Sequence, residues 1–306
     1  MPPLLALAAS CVLVAAAPLL VRFSPVDPTA TLWLRMLLAT GVLVLFVPAR
    51  TTEKAPMHRR DRLLMILAGL LSVGDMAANH WASVETSVAN TVLLMNLSPV
   101  FVTLLAFLIL HERPSARQLS GYAITILGAV LMTGVTWDAW RLGWGEMLAL
   151  LSAFLYAAYF LIVKRLRARV GALAIMLWTS AIAAVVLAPV AILESEPLLP
   201  SSAMGWVPIA AMALGVQIGG HGLMAHAMKT LPASYASTTA LARPVLAAAA
   251  AWLLFGEALT FAQMTGAALV LGGLAFASRT SSGREQAAPP PLKAEPAQAQ
   301  QWRTGT

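Results

Sequence analysis

Charged residues are scarce in this chain. Asp, Glu, Lys and Arg together make up 11% of the 306 residues, whereas 59% are hydrophobic. A soluble protein of this length needs much more polar surface to face water, so the composition excludes one or two ordinary soluble domains. Much of the surface must face lipid instead.

The sequence also has little that would support catalysis. Its single cysteine, Cys11, cannot form an internal disulfide, and we interpret it as a small helix-packing residue. There is no HExxH zinc pair and no GxSxG nucleophile turn. We therefore predict no catalytic residue, no metal site and no cofactor, and we expect that the protein is not an enzyme. An intramembrane enzyme is the rival interpretation, because Asp75 and two histidines fall within apolar segments.

Long apolar runs are what the sequence has in abundance. About 20 mostly apolar residues cross a bilayer as a helix, whereas a barrel strand needs about ten alternating ones. The runs here are continuous, and charge, proline and glycine separate them. We predict ten transmembrane helices, at residues 4–21, 29–48, 63–82, 87–110, 117–135, 143–163, 171–193, 204–226, 234–255 and 262–278. Residues 280–306 are rich in Pro, Ala and Gln without an apolar period, which predicts a disordered tail.

The basic residues give the orientation of these helices. Only Arg22 and Arg141 fall in loops on one side of the predicted membrane, and Arg35 and Arg243 fall within helices. All the others lie on the side of the two termini: Arg50, Lys54, Arg59, Arg60, Arg62, Arg113, Arg117, Lys164, Arg165, Arg167, Arg169, Lys229, Arg279, Arg284, Lys293 and Arg303. Basic loops stay in the cytoplasm, so both termini are predicted to be cytoplasmic. The net charge of +7 is thus an orientation signal, and we expect no nucleic-acid partner.

The chain repeats itself at a shift of 145 residues. The matched pairs are Trp33 with Trp178, Gly74 with Gly219, Ala82 with Ala227, Pro99 with Pro244, Val100 with Val245, Glu112 with Glu257, Gln118 with Gln263, Gly121 with Gly266 and Gly128 with Gly273. Trp, Pro, Glu and Gln rarely agree by chance at one shift, so we interpret residues 1–135 and 136–279 as two copies of a unit. An odd number of five helices per copy makes the second copy enter the membrane upside down. The expected fold is an all-α membrane protein of two inverted five-helix repeats, which is typical of secondary transporters.

Several short motifs occur in both copies and carry a family resemblance. The first copy has Ala89-Asn90, Leu97-Ser98-Pro99, His111-Glu112-Arg113, Gln118, Gly121 and Gly128; the second has Ala233-Ser234, Arg243-Pro244, Gly256-Glu257, Gln263, Gly266 and Gly273. Together with Pro28 and Arg35, this doubled set resembles the EamA family of the drug/metabolite transporter superfamily. The resemblance implies a multi-pass exporter of the cell inner (plasma) membrane with a small-molecule substrate. We expect a monomer, because the GxxxG spacing of Gly215 and Gly219 favours packing within the chain.

The resemblance also implies a substrate class. The family includes exporters of amino acids, of other metabolites and of drugs, and the chain resembles its exporters of aromatic amino acids, so we expect export of aromatic or hydrophobic amino acids by alternating access through a central cavity. The alternatives are an exporter of drugs or of other metabolites of nucleobase, sugar or cation type, and a channel-like facilitator. Small multidrug resistance relatives carry a glutamate in their first helix, whereas residues 4–21 contain no acid. Their mechanism of proton-driven antiport is therefore not expected here.

Polar and aromatic side chains within the predicted helices are the candidates for a substrate site. Unpaired polar groups cost several kcal/mol in hydrocarbon, so these side chains should face one another or a cavity. The candidates are Asn79, His80, Trp81, Asn90, Tyr156, Tyr159, His221, Tyr235 and Thr239. For each of them, a hydrogen bond between helices without substrate contact is the alternative.

Two prolines and two arginines complete the candidates. Pro99 and Pro244 each remove a backbone hydrogen bond within an apolar run, which predicts either a pair of hinges or two static kinks. Arg35 lies near a helix end and is interpreted as reaching toward the membrane surface. Arg243 stands directly before Pro244 and requires an acceptor, either a freed carbonyl or an acid.

Overall fold

A computed structural model gives the structure of the protein. It describes residues 1–46, 58–86, 91, 94–133, 143–255 and 260–278, and within these ranges the only regular structure is helical. The predicted tail at 280–306 lies outside the described residues, as does Asn90.

The helices follow the apolar runs closely. In the first half they are α1 (Pro3–Ala15), α2 (Ala17–Arg22), α3 (Pro28–Phe46), α4 (Arg59–Glu85), α5 (Ser98–Leu105) and α6 (Ala116–Thr133). In the second half they are α7 (Trp144–Leu166), α8 (Ala172–Glu194), α9 (Trp206–Ala211), α10 (Gly222–Ala227), α11 (Ala233–Thr239), α12 (Ala242–Phe255) and α13 (Phe261–Ser278). Two π-helical stretches continue them: Ala106–Leu110 follows α5, and Met212–His221 joins α9 to α10.

Within the described part of the chain, seven helical stretches are long and apolar enough to cross a membrane. They are Pro3–Arg22, Pro28–Phe46, Arg59–Ala82, Trp144–Leu166, Ala172–Glu194, Ala203–Ala227 and Ala233–Leu254. Ser98–Leu110 and Phe261–Ala277 are shorter apolar helices. The prediction of an all-helical, multi-pass membrane protein is therefore confirmed, whereas the count of ten spans and the side of the termini stay predictions.

Glycines bring α6 and α13 into direct backbone contact. A Cβ atom on Gly121 would lie 2.8 Å from the carbonyl oxygen of Gly273, and one on Gly273 would lie 2.7 Å from that of Gly121. About two turns further along α6, a Cβ atom on Gly128 would lie 2.6 Å from the carbonyl oxygen of Gly266. One on Gly266 would lie 2.6 Å from that of Gly128. Residue numbers rise along α6 while their partners' numbers fall along α13, so the two helices run antiparallel. Only glycine fits at these four positions.

Two further helix pairs have related contacts. α4 runs antiparallel to α7, since Gly74 faces Leu155 near the middle of the pair and Thr86 donates to Glu146 at its end. α1 packs on the π-helix and α10, where Gly219 faces Leu13. Gly74 and Gly219 are matched residues of the 145-residue shift, and each lies against a leucine of the neighbouring helix, as the predicted repeat requires.

The helices are interrupted just before both prolines. Asn96 and Leu97 form a turn before α5, and Ala240 and Leu241 form one between α11 and α12. Each proline then lies in the first turn of the following helix, where its missing N–H costs nothing. The interruptions agree with the sequence, while motion at Pro99 and Pro244 stays a prediction.

The hydrophobic core is concentrated at one end of the bundle. Its largest cluster joins the start of α1, the end of α3, the start of α4 and the end of α7 with α8, α10 and α11; among its members are Leu7, Leu43, Met65, Phe160, Met176 and Met224. This end carries the basic loops. The opposite end is formed by the start of α3 and the ends of α4 and α8.

Candidate functional site

A cavity of about 780 Å³ opens at the end of the bundle away from the basic loops. We call it the outer cavity. Its walls come from the start of α3, the second half of α4 and the end of α8, and include Leu32, Val73, Asp75, Met76, Met95, Val186 and Glu194. Pockets of 300–1,000 Å³ with mostly apolar walls and a few polar groups are typical of small-molecule sites.

Three of the predicted site residues lie together on this wall. Asn79, His80 and Trp81 all line the outer cavity. The rings of His80 and Trp81 are arranged edge to face, with their centroids 6.3 Å apart. The Asn79 amide donates to the sulfur of Met95. Trp81 is 54% exposed, so it offers much of its ring face to an occupant.

Arg35 anchors a polar chain inside the bundle. Its Nη2 donates to Oε1 of Gln217 at 2.6 Å, and Nε2 of Gln217 donates to the hydroxyl of Ser180 at 3.1 Å. These two hydrogen bonds link α3, the π-helix and α8. The interpretation of Arg35 as a residue that reaches to the membrane surface is wrong, because Gln217 is buried and holds it in the interior.

Arg243 is the second guanidinium of the interior. Its Nη1 donates to the hydroxyl of Tyr156 at 3.4 Å, and its side chain also interacts with the Cys11 thiol. Nε and Nη2 of Arg243 are both buried and have no hydrogen-bond partner among the described residues. Both Arg35 and Arg243 act electrostatically on His221, which brings this predicted site residue into the same region. We call Arg35, Ser180, Gln217, His221, Arg243, Tyr156 and Cys11 the central polar cluster.

Asp75 and the tyrosines of α7 connect the outer cavity to the central polar cluster. Asp75 lines the outer cavity and accepts a hydrogen bond of 2.5 Å from Ser152 on α7. It is also within electrostatic range of the buried Tyr159, which interacts in turn with Tyr156 and Arg243. The rings of Tyr156 and Tyr159 are 6.3 Å apart. Polar groups therefore continue from the cavity wall to Arg243.

Tyr235 and Thr239 are placed less favourably for a substrate. Tyr235 is buried in the hydrophobic core near the basic loops. The hydroxyl of Thr239 donates to the carbonyl oxygen of Tyr235 at 2.8 Å, one turn back on the same helix, and its own carbonyl oxygen accepts from Cys11. This is the backbone bond that threonine commonly makes inside a helix.

We therefore expect Thr239→Val to leave transport within about twofold of the wild type and to change stability by roughly 0.5 kcal/mol or less. Initial transport rate and melting temperature of the purified variant would check this. A loss of transport with unchanged melting temperature would mean that the hydroxyl turns to the substrate instead.

Hydrogen bonds from side chains, most of them to backbone atoms, connect the helices at the end with the basic loops. Glu112 accepts from the backbone N–H of Ala233 at 3.1 Å and from the Ser234 hydroxyl at 3.4 Å. Lys164 donates to the carbonyl oxygen of Leu231, and Nε of Arg167 donates to that of Ala225 at 2.8 Å. The bonds of Glu112 and Lys164 connect the segment after α5 and the end of α7 to the start of α11. The bond of Arg167 connects the end of α7 to α10. The sequence marks Glu112 as a matched residue of the repeat and as part of the His111-Glu112-Arg113 motif, but does not predict these contacts.

A bundle of membrane-spanning helices with a cavity lined by Asp75, His80 and Glu194 is typical of one class, the membrane transporters. The assignment within that class is specific. The model of the EamA-like transporter family matches residues 1–134 and 143–279, so the chain belongs to this family. The family expected from the doubled motifs is confirmed.

Individual relatives are named as transporters. The chain is 28% identical over 225 residues to an "uncharacterized transporter" of Archaeoglobus fulgidus, covering 72% of this chain and 78% of that one. It is 29% identical over 243 residues to a "probable terminal-alkyne amino-acid exporter" of Streptantibioticus cattleyicolor, covering 76% and 78%. A solved crystal structure superposes with a TM-score of 0.77 over 92% of this chain and 98% of the other, at 19% identity, which shows the shared fold.

Sequence reasoning missed several residues of the central polar cluster. The sequence indicates only a packing role for Cys11 and selects neither Ser180 nor Gln217 as a candidate for the substrate site. A signal was present in the repeat: Cys11 and Tyr156 are 145 residues apart, as are Arg35 and Ser180. The members of the first of these pairs converge in the structure, since Arg243 interacts with both Cys11 and Tyr156.

Proposed function

We propose that this membrane transporter exports aromatic or hydrophobic amino acids from the cytoplasm across the inner (plasma) membrane. The observation that carries the proposal is the outer cavity, whose wall of His80 and Trp81 continues through Asp75 and Tyr159 to buried arginines. Ring faces suit an apolar side chain, and hydrogen-bonding and charged groups suit the amino-acid head group. The amino-acid exporter among the relatives and the resemblance in sequence to the aromatic amino acid exporter YddG support this substrate class.

The mechanism that we propose is alternating access between two inverted halves, residues 1–135 and 136–279. The antiparallel, reciprocal crossing of α6 and α13 supports it, because those helices are equivalents in the two copies. The equivalent roles of Gly74 and Gly219 support it as well. In the present conformation, the cavity is open at the end away from the basic loops, and Glu112 and Lys164 hold the other end closed. Exchange of these two states would carry a solute outward.

Transport by the purified protein in proteoliposomes tests the proposal. The protein is reconstituted into vesicles that are loaded with one unlabelled amino acid of a panel. Counterflow, the uptake of the same labelled amino acid, is then measured with and without a pH gradient. Saturable flux of phenylalanine, tryptophan and leucine is expected. If no amino acid moves while other amphiphiles do, the substrate class is wrong; turnover far above about a thousand per second would instead indicate a channel, because typical turnover by proteins that change conformation is slower.

Trp81→Ala should weaken transport of aromatic amino acids selectively. The ring lines the cavity and is half exposed, so its removal costs little stability but takes away a stacking surface. Loss of one aromatic contact is worth about 0.5–1.5 kcal/mol, which predicts a KM several-fold higher for tryptophan and an unchanged KM for alanine.

Trp144→Ala is the matched control for this experiment. Trp144 is 65% exposed at the start of α7 and is not among the lining residues of the outer cavity. Its loss should leave both KM values unchanged. Equal effects of the two substitutions would contradict a role of Trp81 in binding.

A further inference from the structure

Arg243 is a buried cation, and one edge of its guanidinium group has no hydrogen-bond acceptor among the described residues. Nη1 is engaged by the Tyr156 hydroxyl, whereas Nε and Nη2 are buried without a partner in the described part of the chain. The groups of opposite polarity that act on it are the Tyr156 phenol and the Cys11 thiol, both of which are ordinarily neutral at pH 7. A guanidinium in such a place is costly unless an anion pairs with it.

The two unused nitrogens are arranged for one kind of ligand. Nε and Nη2 project their N–H groups from the same edge of the planar guanidinium group. A carboxylate takes two donors of this edge at once, one for each oxygen, and such bidentate pairs are the strongest hydrogen bonds that arginine makes. The free edge of Arg243 therefore presents the pair of donors that a carboxylate takes.

A second positive charge adds to the field at this place. Nε of Arg35 is also buried and has no hydrogen-bond partner among the residues that the structure describes, although Nη2 of Arg35 donates to Gln217. Both guanidinium groups act on the ring of His221. Arg35 and Arg243 therefore give the central polar cluster two positive charges, and none of the residues that define the cluster is an acid, which favours an anionic guest.

We propose that Arg243 binds the carboxylate of the transported solute bidentately through Nε and Nη2, and that a free carboxylate is a requirement for transport. Tyr156 holds the guanidinium group in place from its other side through Nη1. The solute's remaining atoms lie toward Tyr159 and Asp75, in the direction of the outer cavity. This inference rests on the proposed function, since it specifies the head-group contact of the same site.

Substitution by methionine separates this role from a structural one, because the two roles predict opposite changes in stability. If Arg243 held the fold together, Arg243→Met would lower the melting temperature. A cation kept for the substrate destabilises the empty protein instead, and replacing it with an apolar side chain of similar length should raise the melting temperature.

The experiment measures melting temperature and counterflow for the wild type, Arg243→Met and Arg165→Gln. Arg165 is exposed in the last turn of α7 and controls for the loss of one positive charge. Phenylalanine, 3-phenylpropionate and phenylalaninamide are compared as ligands. We expect the two carboxylates to compete for transport, the amide to be weaker by on the order of tenfold or more, and Arg243→Met to lose transport of carboxylates by a similar factor. Arg165→Gln should behave as the wild type.

The outcomes that would overturn the inference are distinct from those that would overturn the function. Equal transport of acid and amide by the wild type, or a lower melting temperature of Arg243→Met with retained transport, overturns the carboxylate site while amino-acid transport stands. If no compound moves, the proposed function fails, and ligand-induced thermal stabilisation still decides the site. Stabilisation of the wild type, but not of Arg243→Met, by 3-phenylpropionate supports it. Stabilisation by inorganic phosphate and not by the carboxylate overturns it, because the bound oxyanion would then be of another class.

Discussion

Gly266→Ala should lower the thermal stability of the protein sharply. The added Cβ atom would lie 2.6 Å from the carbonyl oxygen of Gly128 and 2.9 Å from the backbone nitrogen of Met132. Both neighbours are backbone atoms of α6, so neither can turn aside, and the two helices must separate. Overpacking of this kind costs about 1–3 kcal/mol and sometimes more, even though alanine is the better helix former. The melting temperature in detergent would measure the loss.

Gly272→Ala, on the same helix, is the matched control. Among the described residues, no atom lies within 4 Å of a Cβ at this position, which is exposed on α13. Here alanine should be neutral or stabilise the helix by up to about 1 kcal/mol. If Gly266→Ala melted at the same temperature as Gly272→Ala, the close antiparallel crossing of α6 and α13 would be wrong.

Gln217→Leu should destabilise the interior by about 3 kcal/mol. Nη2 of Arg35 would lose its acceptor, which lies at 2.6 Å. Nε of Arg35 has no acceptor among the described residues even in the wild type. Ser180 would lose its donor as well. Taking one partner away from a buried charged group leaves an uncompensated cation, which is the expensive case. A lower melting temperature, together with loss of transport, is the expected result.

Gln217→Glu provides the test in the other direction. A carboxylate at this position would accept from Arg35, and the Ser180 hydroxyl can turn to donate to it. The melting temperature should therefore stay at or above that of the wild type. Equal melting temperatures for the leucine and glutamate variants would show that the link between Arg35 and Gln217 does not stabilise the bundle.

The helices and their small-residue contacts could be predicted from the sequence because they depend on local composition and on the repeat. Apolar runs of about 20 residues fix where helices cross lipid. The shift of 145 residues selected Gly121, Gly128, Gly266 and Gly273 as a set, and the structure joins them in two reciprocal pairs. The placement of Asn79, His80 and Trp81 at a cavity agreed with the cost of polar groups in hydrocarbon.

The polar interior was less predictable because its contacts join residues far apart in sequence. Arg35 and Gln217 are on segments whose rotation about their own axes cannot be determined from an almost uniformly apolar pattern. Met212–His221 is π-helical, a form without a clear sequence signature, and it changes the direction in which Gln217 and His221 project. Thr239 was assigned to the substrate although its hydroxyl had an acceptor one turn away, an alternative that any threonine in a helix has.

The crossing of α6 and α13 has a consequence for how such a chain could arise. Each glycine face meets the equivalent face of the other copy, Gly121 against Gly273 and Gly128 against Gly266, so the contact is complementary to itself under a twofold rotation. A single ancestral five-helix unit with that face could pair with an upside-down copy of itself without inventing any surface. If the proposed two halves arose by duplication of such a unit, gene fusion would have preserved a homodimer that already existed, and each half would have been free to diverge at positions such as Arg35 and Ser180.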